Sequence, residues 1–426
     1  MKVLVTGGRV VDPSQNEDRL ADILIVDGRV AGLYQPGSCK VDAEMLSVAG
    51  MLVTPGLIDI HVHLREPGFE YKEDILSGSR AAAAGGFTRV CCMPNTNPAI
   101  DTAAVVSYIV QQSEKAGFAR VHPIAAATRG MEGDCLTEVA ELKAAGAVAV
   151  SDDAFPLQNA ATVRRCMEYC AMLGLPLLTH NEDKHLTHGG SMNEGLVSTE
   201  LGLSGMPACA EDIAVARNIA LSELTGCHLH LLHISTKGTT ELLRSARSRG
   251  LRVTGEACPH HWVLTDEACA GYNTHAKMNP PLRTQQHADA VKSGLIDGTI
   301  QCIVTDHAPH ADYEKQVEFD AAPFGILGLE TSFPLVYTTL VCPGHITLNQ
   351  AVAMMTIEPA RVLNLPDGAG TLKPGAVADI AVFDLDEEWV VDRDKVQSKS
   401  HNTPFHGMKV TSRPRLTLLA GKQVRL

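Results

Sequence analysis

Between residues 57 and 304 the chain alternates short apolar runs of β character with longer stretches of helical character. Eight such runs can be counted, at 57–62, 88–93, 121–126, 147–150, 175–178, 228–232, 252–257 and 300–304. Helical patterns fall between them, for example at 102–115, 160–173, 211–224 and 239–248. Two strands joined through a helix run parallel, because the crossover returns the chain to the same end of the sheet. Eight of these units predict an α/β fold, a closed (β/α)8 TIM-type barrel, whose active site sits at the C-terminal ends of the strands.

Outside that region the pattern changes to short strands and turns. Val3-Leu4-Val5, Arg9-Val10-Val11 and Asp22-Ile23-Leu24-Ile25-Val26 lie near the start, and Asp27-Gly28 is a hairpin signal. Near the end, Lys373-Pro374-Gly375 leads into Asp379-Ile380-Ala381-Val382-Phe383, followed by a last strand expected over 416–424. The two ends are expected to form one small β-sandwich domain, 1–54 plus 370–426, around a barrel of residues 55–369. With 426 residues the chain is long enough for this pairing of one large barrel and an appendage.

Composition narrows the partners. Hydrophobic residues make up 45% and charged residues 20%, far from the signature of disorder. A net charge of −13 disfavours nucleic acid and anionic membranes as partners. No apolar run approaches the roughly 18 residues of a membrane span, and Gly and Asp interrupt the first residues before a signal-peptide core could form. A cytoplasmic location is expected. The 12 cysteines include no Cys-x-x-Cys pair and often sit in apolar segments, so reduced, mostly buried thiols are expected.

Polar residues gather where the barrel wants them. The first run reads Leu57-Ile58-Asp59-Ile60-His61-Val62-His63, and strand alternation puts His61 and His63 on one face, where both can bind one metal. The fourth run ends in Ser151-Asp152-Asp153, the fifth in His180, the sixth in His233 and the eighth in Thr305-Asp306-His307. His61, His63, Asp153, His180, His233 and Asp306 therefore converge as candidate ligands. Four imidazoles and two carboxylates suit a binuclear divalent-metal centre. Zn2+ is the expected occupant, two per subunit, and Mn2+, Co2+ or iron could substitute.

This ligand set, with the Thr54-Pro55-Gly56-Leu57-Ile58-Asp59 approach to the first strand, resembles the amidohydrolase superfamily along essentially the whole chain. Closer motifs are similar to class I, bacterial-type dihydroorotases. They are His63-Leu64-Arg65-Glu66-Pro67-Gly68, Met93-Pro94-Asn95-Thr96, Asn279-Pro280-Pro281-Leu282-Arg283, Thr305-Asp306-His307-Ala308-Pro309-His310, Ala322-Pro323-Phe324-Gly325-Ile326 and Gly328-Leu329-Glu330-Thr331. The resemblance implies reversible interconversion of N-carbamoyl-L-aspartate and L-dihydroorotate plus water, a step of pyrimidine (UMP) biosynthesis. Many superfamily relatives bridge two metals with a carboxylated lysine at the end of strand four. Here that position reads Ser151-Asp152-Asp153, and the resemblance implies that Asp153 bridges instead, with Asp152 as its competitor.

Two divalent ions sharing a water lower its pKa toward about 7 and supply hydroxide at neutral pH. Asp306 is then expected to be the general acid/base, taking the proton and passing it to the leaving ring nitrogen. Arg65 offers a bidentate fork for the substrate carboxylate. In the family pattern His63, Asn95, Asn279 and His310 join it in binding substrate, with the backbone of Phe324 and Gly325 against the ring. His260 and His261 are left out of the metal site, because six ligands already fill it, and His185, His188, His228 and His230 are read as surface or packing residues. Residues 312–324 are expected to form a mobile, lid-type loop.

A hydantoinase or dihydropyrimidinase would be expected to carry the strand-four lysine and to lack Arg65, whereas spacing alone does not dismiss an allantoinase. A catalytically silent barrel serving as a structural partner would be expected to have lost ligands, and all six are present. The partner implied is the small-molecule substrate. A homo-oligomer is expected, and the resemblance also leaves open an association with aspartate carbamoyltransferase.

Overall fold

The computed structural model describes all residues, Met1–Leu426. The eight expected runs become eight parallel strands: β1 (Leu57–Val62), β2 (Phe87–Cys92), β3 (Arg120–Ala126), β4 (Ala149–Ser151), β5 (Leu177–Thr179), β6 (Leu229–Leu231), β7 (Val253–Ala257) and β8 (Cys302–Ile303). They are hydrogen-bonded in sequence order from β1 to β8. The ring closes where Val62 bridges His307 and the His63 N–H donates to the His307 carbonyl (2.8 Å).

Helices Ala103–Ala116, Ala160–Leu173, Cys209–Thr225 and Lys237–Ser248 occupy the expected intervals. Their ends follow local chemistry. Thr102, Asn159 and Thr236 accept from backbone N–H groups of the first turn, and Gly117, Gly174 and Gly226 take up left-handed backbone at the far end. Their apolar faces and the strands share one cluster of 56 buried residues. A second apolar cluster draws Ile58, Cys91, Ile124, Ala149, Leu178 and Cys302 from strands all round the ring and so plugs its interior. Side chains of one parity share a face, so Ala149, Leu178 and Cys302 direct Asp153, His180 and Asp306 to the same central axis beyond the strand ends.

The two ends of the chain build a separate eight-stranded sheet. Lys2–Asp12 pairs antiparallel with Glu17–Val26, which turns at Asp27-Gly28 into Arg29–Tyr34. Both turn residues have positive φ (47° and 79°), as a two-residue hairpin requires. Leu52–Pro55 pairs antiparallel with Ile380–Val390, so the sheet runs without a break from the N-terminal strands to the C-terminal ones. The strand expected over 416–424 is instead two: Lys409–Leu419 reverses at Ala420-Gly421, both at positive φ, and returns as Lys422–Gln423. The alternation of apolar residues masked that turn. The buried Arg89 and the half-buried Arg120 at the start of neighbouring barrel strands pair with Asp379 and tie the two sheets together. No helix is long and apolar enough to cross a membrane, and all 12 cysteines are unpaired, eight of them buried.

Candidate active site

Three of the four imidazoles have their outer nitrogen committed. His61 Nδ1 donates to Glu256 Oε1 (2.5 Å), His63 Nδ1 to Asn95 Oδ1 (2.8 Å) and His180 Nε2 to Glu182 Oε2 (2.9 Å). An acceptor at one ring nitrogen keeps the proton there and leaves the lone pair on the other. Those other nitrogens, with Nε2 of His233, converge on two carboxylates. Asp153 Oδ2 lies 3.5 Å from His61 Nε2 and 3.4 Å from His63 Nε2, while its Oδ1 lies 3.4 Å from His180 Nδ1 and 3.3 Å from His233 Nε2. Asp306 Oδ1 is 3.0 Å from His63 Nε2 and 3.4 Å from His61 Nε2.

Asp153 thus faces both imidazole pairs, one with each oxygen. Asp152 is committed elsewhere, accepting from the backbone N–H groups of Ala127 (2.7 Å) and Thr128 (3.2 Å) and from the Thr128 hydroxyl. Burial pushes the Asp152 carboxyl up to about 7. Asp153→Ala is therefore expected to lose metal and activity together, and Asp152→Ala to retain some of each. Metal analysis beside an assay checks this, and the reverse ranking would give the bridging role to Asp152.

The cluster demands positive charge. Burial alone would discharge its members, yet Asp306, Glu256 and Asp153 hold His61 well above the usual imidazole range. Asp153 is likewise held well below the usual carboxylate range by His61, His180 and His233, against the opposing effect of burial. His61 Nε2 is fully enclosed and has no hydrogen-bond partner. The candidate ligand atoms fall into overlapping groups of three, each within 4.8 Å. That donor set fits divalent metal, which would supply the missing charge. Arg65, His233 and Asp306 also carry left-handed backbone, with φ of 63°, 31° and 49°. Residues with side chains rarely adopt it, and three of the eleven non-glycine residues with positive φ lie at this site.

Beside the cluster lies a cavity of about 100 Å³. Its lining includes Asp153, Asp306 and all the residues expected to bind substrate: His63, Arg65, Asn95, Asn279, His310, Phe324 and Gly325. Arg65 is buried and held by its Nε donating to the Pro309 carbonyl (3.1 Å). Burial brings its guanidinium down to about 10, which leaves it cationic at neutral pH. His310 Nε2 donates to the Phe324 carbonyl (2.8 Å) and lies 3.3 Å from Arg65 Nη2. Burial and the Arg65 charge keep that imidazole neutral. Gly325 sits at φ 138°, and a Cβ there would come within 2.8 Å of Ala308 Cβ and 3.0 Å of His310 Nε2, so only glycine lets the backbone approach this closely.

Comparison with known proteins gives the family. A "Dihydro-orotase-like" family model matches residues 50–239 and an "Amidohydrolase family" model residues 246–425. A dihydroorotase of Geobacter sp. (strain M21) is 51% identical over 424 residues, covering 100% of this chain and 99% of that protein. One of Pelotomaculum thermopropionicum is 52% identical, covering 100% and 98%. The chain belongs to the dihydroorotase family. Among solved structures, an L-hydantoinase (dihydropyrimidinase) from Arthrobacter aurescens superposes with a TM-score of 0.88 at 27% identity, covering 99% of this chain and 95% of that one. A D-hydantoinase from a Bacillus sp. AR9 gives 0.84 at 25%, again covering 99% and 95%.

Two carboxylates of this dihydroorotase-family site escape motif reading. Glu256 is wholly buried in β7 and links His61 to His230 Nε2 (3.0 Å), so His230 belongs to the outer support of the cluster. An acidic residue inside an apolar strand must find partners when buried, and that was the available signal. Glu182, two residues after His180, is the other. His185 and His188 are exposed, as expected. His260 and His261 stay outside the cluster, with His261 Nε2 donating to the Pro280 carbonyl (3.0 Å).

The segment 312–324, expected as a mobile, lid-type loop, carries local order of its own. Residues Asp312–Lys315 form a helical turn, and two buried lysines, Lys277 and Lys315, pin the residues after it. Lys315 Nζ donates to the carbonyls of Thr274 (3.1 Å), Lys277 (3.2 Å) and Pro323 (2.7 Å). Lys277 Nζ donates to those of Phe319 (2.6 Å) and Asp320 (3.0 Å). Of the charges in this segment, Lys315 is thus turned inward onto carbonyl oxygens, while Asp312, Glu318 and Asp320 stay exposed, a difference that composition alone does not reveal.

Proposed function

We propose that this chain is a dihydroorotase, interconverting N-carbamoyl-L-aspartate and L-dihydroorotate plus water. The observation that carries the reading is the buried, cationic Arg65 on the wall of a cavity whose floor is the Asp153–Asp306 cluster. A cyclic amide bearing a carboxylate needs both. The relatives at 51% and 52% identity over the whole chain, named dihydroorotase, support it.

His61, His63 and Asp306 would hold one Zn2+, His180 and His233 a second, and Asp153 would face both. When bound, such ions polarise a carbonyl and lower the pKa of a water toward about 7. Asp306 does the proton work of the chain itself: it is buried at the cavity floor, and His61 and His63 hold its carboxylate ionised against the effect of burial. In the hydrolytic direction it takes the proton from the attacking water and delivers it to the leaving ring nitrogen, and in cyclisation it does the reverse. Arg65 binds the substrate carboxylate, with Asn95 and His310 beside it. Asn279 and the Phe324–Gly325 backbone orient the ring. The same reading extends to a cytoplasmic homo-oligomer and, from the family resemblance, to association with aspartate carbamoyltransferase.

Assay of the pure protein with dihydroorotate, allantoin and dihydrouracil tests the reading, together with Arg65→Met. Methionine keeps much of the length and loses the charge. Losing a charge-assisted contact in a desolvated pocket costs about 2–5 kcal/mol, so kcat/KM for dihydroorotate is expected to fall at least about 30-fold with metal content unchanged. Rings without the carboxylate should be poor substrates for both proteins. Intact dihydroorotate turnover in Arg65→Met, or a wild-type preference for allantoin or dihydrouracil, would overturn it.

A further inference from the structure

Glu182 follows His180 and Asn181 on the loop after β5 and is buried. Its Oε2 accepts three hydrogen bonds: from His180 Nε2 (2.9 Å), from Asn279 Nδ2 (3.0 Å) and from Lys184 Nζ (2.9 Å). Its Oε1 accepts from the Thr187 hydroxyl. His180 belongs to the candidate metal cluster, and Asn279 lines the cavity beside it. Asn181, between them in sequence, is turned aside to Thr179 and Asn218.

We propose that Glu182 is a positioning residue that sets His180 and Asn279 together, coupling the metal site to substrate recognition. The argument is one of hydrogen-bond polarity. An ionised carboxylate only accepts. His180 must therefore carry its proton on Nε2, which leaves the Nδ1 lone pair for metal. Asn279 must likewise turn its amide N–H to Glu182, which leaves Oδ1 free to accept from a ring or carbamoyl N–H in the cavity. No other side-chain group bonds the Asn279 amide, so Glu182 alone decides which end of it the substrate meets. Lys184 is the least of the three donors, since its side chain is 46% exposed and its pairing is screened by solvent.

A glutamine at 182 keeps the shape and breaks this logic, because its amide can donate to Asn279 Oδ1 and flip it. The Asn279 half of the proposal rests on that residue's assignment as a substrate contact; the His180 half does not. Glu182→Gln is expected to bind Zn2+ at least about tenfold more weakly in competition with a chromophoric chelator, the size usual for removing an outer partner of a ligating histidine. At saturating metal its KM for dihydroorotate should rise at least about fivefold, with kcat changing less, as for loss of one oriented hydrogen bond. Asn279→Ala should raise KM and leave metal affinity alone, and the double variant should be no worse in KM than Asn279→Ala. Lys184→Met should stay within about twofold of wild type in both. Wild-type metal affinity in Glu182→Gln, or strictly additive KM effects in the double variant, would overturn the proposal. If the wild type does not turn over dihydroorotate, the substrate reading fails, while the chelator competition still decides whether Glu182 holds His180. Should Glu182→Gln not fold, Glu182→Asp keeps the charge and withdraws the carboxylate from His180 and Asn279, so it should weaken metal binding and raise KM in the same way, and wild-type values of both in it would overturn the proposal.

Discussion

Asp306→Asn is expected to lower kcat for dihydroorotate at least about a hundredfold while the protein keeps its metals. Asparagine retains an oxygen where Asp306 Oδ1 lies, 3.0 Å from His63 Nε2 and 3.4 Å from His61 Nε2. What it loses is the capacity to take up a proton. Positioned general acid/base groups contribute about 10²- to 10⁴-fold, and Asp306 serves in both halves of the proposed reaction, so the loss should lie within or above that range. The residue also sits at positive φ, a conformation asparagine tolerates well, so the backbone should not object. Steady-state kinetics beside metal analysis checks the outcome. Near-normal turnover with metals intact would move the proton to another group.

The barrel was legible because its signal is local and repeated. Each strand needs a few consecutive apolar residues, and strand parity carries the ligand positions with it, as Leu178 and His180 show. Asp153 against Asp152 was not decidable from spacing. Both are acidic and adjacent, and the difference lies in Thr128, 24 residues away, whose hydroxyl and backbone N–H occupy Asp152. Glu182 and Glu256 were missed for a related reason. Motifs pick out residues that meet metal or substrate, whereas these two meet the residues that do, across separations of 2 and 195 residues respectively. The segment 312–324 misled through its charge: Lys315 looks like a solvated lysine until the carbonyls of Thr274, Lys277 and Pro323 are brought to it by the fold. The turn at Ala420-Gly421 was hidden because Leu416, Leu418 and Val424 keep the parity of a single strand across it.

Metal removal is expected to have the largest effect of all, complete loss of activity after prolonged chelation and its return on adding Zn2+, Co2+ or Mn2+. The reason lies in the charge balance of a dry cluster. Asp153, Asp306 and Glu256 are buried together, and without metal their charge must be matched by protons on the imidazoles. That is why the metal-free His180 is raised, to about 9, by hydrogen bonds and charge from Asp153 and Glu182, although burial opposes it. His61 moves the same way. Metal uptake must displace those protons, and this fixes the sign: lowering the pH keeps the ligands protonated and weakens binding, raising it strengthens binding. Reloading should therefore be markedly less efficient at about pH 6 than at about pH 8, the side on which displaced protons are more readily lost. Metal that binds only the folded state also stabilises it, so the chelated protein should melt at a lower temperature than the reloaded one. Metal content, activity and melting temperature measured along one reloading series would report all three. Full activity in protein verified to be metal-free would end the metal-dependent hydrolase reading, and uptake that improved as pH fell would contradict the proton-for-metal exchange on which it depends.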